Sequence, residues 1–198
     1  DNGANSRARA TEEEPMEEQQ SRALHFVCTR DEAADLIRAA DKHLVGDCWC
    51  RSERGPCKRS RADVCLEFAE ATAAEGKGRK PVTRDEALGL LEVAEEKHLV
   101  TRPFRDETRT KVDGICFCCD DCCGYFTGES DAGCDKGRFI ERTDSDACID
   151  CGACVEVCYF RARDMDGDAL KVDRDKCFGC GLCLDVCPVD CIALEERG

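Results

Sequence analysis

Apolar positions recur with a helical period twice in the first half of the chain, in TRDEAADLIRAADKHLV at 29–45 and TRDEALGLLEVAEEKHLV at 83–100. Ala33, Leu36, Ile37 and Ala40 share one side of the first segment, and Ala87, Leu90, Leu91 and Ala94 share one side of the second. Each segment opens Thr-x-x-Glu, Thr29 with Glu32 and Thr83 with Glu86, which is a capping-box start. The pattern predicts two similar amphipathic helices, packed on each other or on the loops that follow them. Further on, RFIER at 138–142 and IALE at 192–195 read as short strands, and RARDMDGDALKVD at 161–173 reads as a hairpin turning at Asp166-Gly167.

Polar stretches divide these elements. Residues 1–22 carry Glu12, Glu13, Glu14, Glu17 and Glu18 with little to bury, and read as an extended arm. AEGKGRKP at 74–81 reads as a linker, and the segment from Tyr125 to Lys136 reads as a loop separating the two halves. The expected fold class is α+β. It comprises an arm at 1–22, a duplicated module at 23–134 with units near 28–73 and 82–134, and a C-terminal domain at 137–198. His43 and His98 end the two helical segments and are expected to cap them, with ligation of a neighbouring metal as the alternative.

Composition changes the picture, because 20 of the 198 residues are cysteine. Repeated CxxC triplets favour metal over disulfides, and hence a reducing, cytoplasmic setting. No run approaches the roughly 20 apolar residues of a spanning helix, so no membrane insertion is expected. A net charge of −14 opposes a general nucleic-acid binder and suits either solubility or docking to a basic partner surface.

Residues 148–158 and 177–187 each read CxxCxxCxxxC. In such runs three cysteines wrap one corner of a cubane, and the fourth ligates the other cluster. One cluster would take Cys148, Cys151, Cys154 and Cys187; the other would take Cys177, Cys180, Cys183 and Cys158. Zinc is the alternative, opposed by the three-plus-one sharing, which structural zinc sites do not use. Residues 137–198 resemble the bacterial dicluster ferredoxin family. The resemblance implies a compact α+β ferredoxin-like domain with two [4Fe–4S] clusters passing single electrons at low potential. Pro188 matches the family's closing proline, whereas Tyr159 stands in that place after the first run. Cys191 is expected to be a buried small apolar residue rather than a ligand.

The upstream cysteines form two loops. Cys48, Cys50, Cys57 and Cys65 are expected to make one closed tetrathiolate site, either [4Fe–4S] or zinc, shielded by Trp49. Arg51, Arg54, Lys58, Arg59 and Arg61 crowd this loop and suit an anionic centre, an acidic partner or a solvated basic surface. The second loop, ICFCCDDCC, supplies a fourth site through Cys116, Cys119, Cys122 and Cys123, with Cys118 as a substitute. Adjacent cysteines point apart, so all five cannot face one metal. Cys28 and Cys134 carry no assignment. Taken with the C-terminal domain, the helix–HLV–CxCR and helix–HLV–CxCC-x2-CC units resemble a group of anaerobe 4Fe–4S binding proteins. That resemblance implies redox work with several clusters and names no substrate.

Without a GxGxxG after a strand or a GxxxxGK[ST], the sequence offers no nucleotide or flavin site. It points to an electron-relay subunit whose partners are redox proteins, other subunits of an anaerobic oxidoreductase complex. Two other readings stay open. One is a redox enzyme or activator using an unusual cluster or reactive thiols at Cys116 to Cys123. The other is a zinc-stabilised interaction module, resembling a winged-helix dimer unit, fused to a ferredoxin.

Overall fold

The computed structural model describes residues 22–68, 78–130 and 133–198. The expected arm, apart from Arg22, and the first half of the linker, 74–77, lie outside them. The expected helical segments form α1 (Arg30–Ala39) and, in the second unit, a helix spanning Arg84–Glu96. Both capping boxes are complete: the Glu32 amide donates to Thr29 Oγ1 at 3.2 Å, and the Thr83 amide donates to Glu86 Oε2 at 2.7 Å. These bonds satisfy donors that a helix start would otherwise leave orphaned.

In chain order the first half runs β1 (His25–Phe26), α1, β2 (His43–Gly46), a short α2 (Trp49–Arg54) and β3 (Cys65–Glu67). It continues with β4 (Lys80–Val82), α3 (Arg84–Glu96), β5 (Val100–Arg105), β6 (Val112–Cys118), α4 (Gly124–Thr127) and β7 (Cys134–Asp135). The seven strands make one sheet in the order β4-β2-β3-β6-β5-β1-β7. β1, just before α1, pairs with β5, just after α3; β4, just before α3, pairs with β2, just after α1. The sheet is thus ordered about its central β3–β6 pair, where Leu66 faces Ile115. Gly114 permits that approach, since a Cβ there would sit 2.2 Å from the Leu66 carbonyl oxygen.

Two of the expected loops prove to be structured. Lys80 and Pro81, at the end of the expected linker, belong to an edge strand of the sheet, β4, and Arg79 beside them pairs with Glu67 at 2.6 Å. The Tyr125 to Lys136 segment does not separate the halves: β7 pairs parallel to β1 within the sheet. Neither strand has the alternating pattern that would mark it from sequence, because each is too short for a period to register.

The core forms where Ala33 and Ile37 of α1 and Ala87, Leu90 and Ala94 of α3 meet Leu66, Leu99 and Ile115. Small alanines let the two helices approach, while burying each larger side chain contributes about 1.5–3 kcal/mol. Only one of the two histidines caps its helix with its ring. His43, on β2, donates from Nε2 to the Ile37 carbonyl in the last turn of α1 at 2.8 Å. His98 instead takes a left-handed conformation (φ 49) just past α3, where the Leu99 amide reaches the Ala94 carbonyl at 2.7 Å.

The C-terminal part contains β8 (Phe139–Thr143), α5 (Ala153–Glu156), the hairpin β9 (Arg163–Asp166) and β10 (Ala169–Val172), α6 (Leu182–Asp185) and β11 (Ile192–Glu196). β8 and β11 pair antiparallel, Phe139 opposite Glu196. The hairpin turns one residue later than expected, on Gly167-Asp168, because Asp166 itself pairs with Ala169. No described helix is long and apolar enough to cross a membrane.

Candidate metal centres

In the C-terminal part each cysteine run supplies three thiols from a loop ending in a four-residue helix, α5 or α6, and a fourth just beyond it. Cys158 lines a small cavity with Cys177, Cys180 and Cys183. Cys187 lines another with Cys148, Cys151 and Cys154. The cavities are about 20 and 10 Å³. Individual donors within them suit sulfur anions: the Ala162 amide donates to Cys158 Sγ at 3.3 Å, and Arg163 donates to Cys154 Sγ at 3.4 Å. Arg163 also donates to Glu141 at 2.5 Å, in an ion pair whose side chains are 2% and 3% exposed. Neither residue was singled out from sequence. A charged pair placed across two short strands leaves no local signal. Cys191 is buried as expected, but it also lines the second cavity, with Sγ 3.5 Å from that of Cys187.

The upstream loops are arranged differently from the sequence expectation. Cys48 and Cys50 do not close a site with Cys57 and Cys65. Together with all five cysteines of the second loop they line a cavity of about 570 Å³. Cys57 turns instead to Cys119 and Cys122, at 3.5 Å from each. Cys65 faces Cys116 across the β3–β6 pair. The second loop divides too: Cys118 neighbours Cys116 and Cys123, while Cys119 and Cys122 lie 3.5 Å from each other. Cys118 is therefore central to one group rather than a spare. The division follows the end of β6 at Cys118 and the turn through Asp120 to Cys122, which aim each adjacent pair of thiols at two groups.

Two arginines, each only 3% exposed, stand against these thiols. Arg51 donates to the Phe117 carbonyl at 3.0 Å and lies 3.7 Å from Cys119 Sγ, while its Nε and Nη1 have no partner. Arg102 reaches Cys134 at 3.3 Å and Cys123 at 3.5 Å, and stacks over Tyr125. Burial pulls both guanidinium groups down, but the facing thiols outweigh it and leave the net shift upward. Neither has a carboxylate partner among the described residues. Buried cations require an anion, so the donor set fits a metal–thiolate centre between the loops. Burial first and Arg102 second hold His25, also on the cavity wall, down to about 4, so its imidazole is neutral near pH 7. Arg102 had a sequence signal, a lone charge between the apolar residues of VTRPF.

Other loop charges are engaged within the chain. Arg59 pairs with Asp120, the Lys58 amide donates to Asp121 at 2.9 Å, and Arg54 reaches the Cys122 carbonyl at 2.8 Å. The basic first loop therefore docks on the acidic second loop, which removes most of the charge expected for an acidic partner. Trp49 does not shield the site, since 71% of it is exposed.

A row of rings joins the two parts. Tyr125, on the large cavity, meets Phe126 at 5.2 Å; Phe126 meets Phe160 at 5.0 Å; Phe160 stacks on Phe178 at 4.2 Å. Phe160 and Phe178 line the cavity of Cys158, Cys177, Cys180 and Cys183. Tyr159, in the place of a closing proline, packs against Phe126 at 5.7 Å with Arg59 over its ring at 5.0 Å. The chain leaves Cys158 toward the upstream module, and an aromatic residue there fills the junction.

Among protein families, the one described as a 4Fe-4S dicluster domain matches residues 141–194. No curated protein matches the chain. The C-terminal part is thus a ferredoxin-like 4Fe–4S domain in a chain of mixed helix and strand.

Proposed function

We propose that this protein is an electron-relay subunit of an anaerobic, cytoplasmic oxidoreductase complex, carrying single electrons between partner proteins. Cys148, Cys151, Cys154 and Cys187 would hold one [4Fe–4S] cluster, and Cys177, Cys180, Cys183 and Cys158 the other. A further centre would sit between the upstream loops on Cys48, Cys50, Cys116, Cys118 and Cys123, beside Arg102. Bound there, such centres supply reversible one-electron chemistry. This chain's own residues would hold them and set the field around them.

The observation that carries this reading is the row Tyr125, Phe126, Phe160 and Phe178, contiguous from the large cavity to one ferredoxin cavity. A protein that only stored iron or stabilised an interface has no need of packed rings between two thiol-lined sites. The test is iron, sulfide and spectroscopic analysis of anaerobically purified full-length protein. More than about eight irons per chain, by counting four per cubane, supports the relay. Cys148→Ala and Cys177→Ala should each remove the signal of one cluster. Eight irons or fewer, or zinc at the ferredoxin sites, would refute it.

One observation favours the second reading, a redox enzyme or activator. At about 570 Å³ the upstream cavity dwarfs the ferredoxin cavities of 20 and 10 Å³ in the same chain. Such room beside two buried arginines suits a small anionic substrate next to the metal. Small anions that perturb the upstream centre's spectrum, while the ferredoxin signals stay unchanged, would favour this reading over a plain relay.

A further inference from the structure

Spacing separates the upstream thiols into two chemical kinds. The sulfurs of Cys57, Cys119 and Cys122 form a nearly equilateral triangle, each 3.5 Å from the other two. A tetrahedral ion with metal–sulfur bonds near 2.3 Å sets its thiolates about 3.8 Å apart. Ligands on different irons of a cubane stand farther apart, at about 6 Å. Among the described residues no other three Cys, His, Asp or Glu donors come within 4.8 Å of one another. The eight ferredoxin cysteines are all described and form no such triplet, which makes them an internal standard for cluster spacing.

We propose that Cys57, Cys119 and Cys122 bind a single tetrahedral metal ion of the zinc class, distinct from the iron–sulfur centres and shared between the two cysteine loops. Soft thiolate donors favour zinc among the common divalent ions. Three thiolates on a divalent cation carry one net negative charge. Arg51, 3% exposed, with unpartnered Nε and Nη1 and Nη2 3.7 Å from Cys119 Sγ, supplies the matching positive charge. No fourth protein donor completes the group among the described residues. The nearby Asp121 carboxylate accepts the Lys58 amide at 2.9 Å. The fourth position is therefore left to water or another exogenous ligand. Cys119 and Cys122 also line the large cavity, from which such a ligand can reach the ion. The ion would clamp the first loop to the second across 62 residues of chain.

The site goes beyond the relay reading and stands or falls without it. Full-length protein, purified anaerobically, is expected to hold one zinc per chain besides its iron. Zinc-edge X-ray absorption should show three sulfur neighbours and one lighter one. Cobalt(II) in place of zinc should give the intense visible bands of a tetrahedral thiolate site. Cys57→Ser should lower zinc affinity at least tenfold with iron and sulfide unchanged, and Cys57→His, which keeps a ligand, should retain the metal. Three results would each overturn the proposal: no stoichiometric zinc in the wild-type protein, four sulfur neighbours, or loss of iron and sulfide rather than zinc in Cys57→Ser. The absorption measurement needs no variant, so a misfolded mutant does not blunt the test.

Discussion

Arg30, the first residue of α1, places both terminal nitrogens on the Asp185 carboxylate at 2.6 Å each. Asp185 ends α6 between Cys183 and Cys187, which line different ferredoxin cavities. The fork therefore braces the helix between the two cavities against the upstream helical layer. Its side chains are 22% and 13% exposed, so solvent screens the pair only in part. Asp185→Asn should cost about 1.5–3 kcal/mol, the range for hydrogen bonds to charged groups. Anaerobic urea unfolding of the metal-loaded protein measures it. A double-mutant cycle with Arg30→Gln should show coupling between the two changes, and strict additivity would mean the pair contributes nothing.

The Arg163–Glu141 pair is far more buried, and removing one partner strands a charge. Arg163→Met should cost about 3–5 kcal/mol, and the Arg163→Met/Glu141→Met double variant should recover most of it. Arg163 also faces Cys154 Sγ at 3.4 Å. Losing that cation should make the Cys148-containing centre harder to reduce in the single variant, whereas the double variant, which also loses the Glu141 anion, should restore part of the potential. A redox titration followed by electron paramagnetic resonance measures both shifts.

Arg102 makes the same case for the upstream centre. Arg102→Met removes a guanidinium from beside Cys123 and Cys134. The expected result is a potential lowered by about 60 mV or more, a factor of ten for a one-electron couple. The ferredoxin signals should shift much less. An equal shift of every centre would show that Arg102 acts on global charge rather than locally.

Gly179 lies between Cys177 and Cys180 with φ 76, and a Cβ there would sit 2.0 Å from the Phe139 carbonyl oxygen. Gly179→Ala should destabilise the fold by about 2 kcal/mol or more and weaken the cluster at Cys177. Gly167→Ala is the control. Its φ is 64 but nothing lies within 4 Å of the added carbon, so only backbone strain of about 1–2 kcal/mol applies.

Stripping the metals should unfold the two parts unequally. The upstream sheet has a core of Ile37, Leu66, Leu99 and Ile115, whereas the apolar cluster at the far end of the ferredoxin part is built mainly of Cys154, Cys191 and Ile192. Where ligands replace core, metal binding is folding free energy. Hydrogen exchange of apoprotein should show protection lost across β8 and β11 and kept in β5 and β6. Equal loss in both would mean that the upstream centres also hold up the sheet.

What the sequence determined by itself is what lies within about a dozen residues. Thr29 and Glu32 identify a helix start, because both partners of the capping box sit in one turn. The spacing of Cys177, Cys180 and Cys183 identifies a cluster loop, because one loop carries all three. RFIER and IALE could be read as strands, though not as each other's partners. The tertiary structure alone decided that Cys57 leaves its own loop for Cys119 and Cys122. It also decided that Cys65 meets Cys116, and that Arg51 and Arg102 face thiols. These contacts follow from the pairing of β3 with β6, which brings both cysteine loops to one end of the sheet. Spacing along a chain reports ligands that share a loop. It carries no information about thiols brought together by strand pairing, since each adjacent cysteine pair sends one sulfur to each side and only the fold determines what waits there.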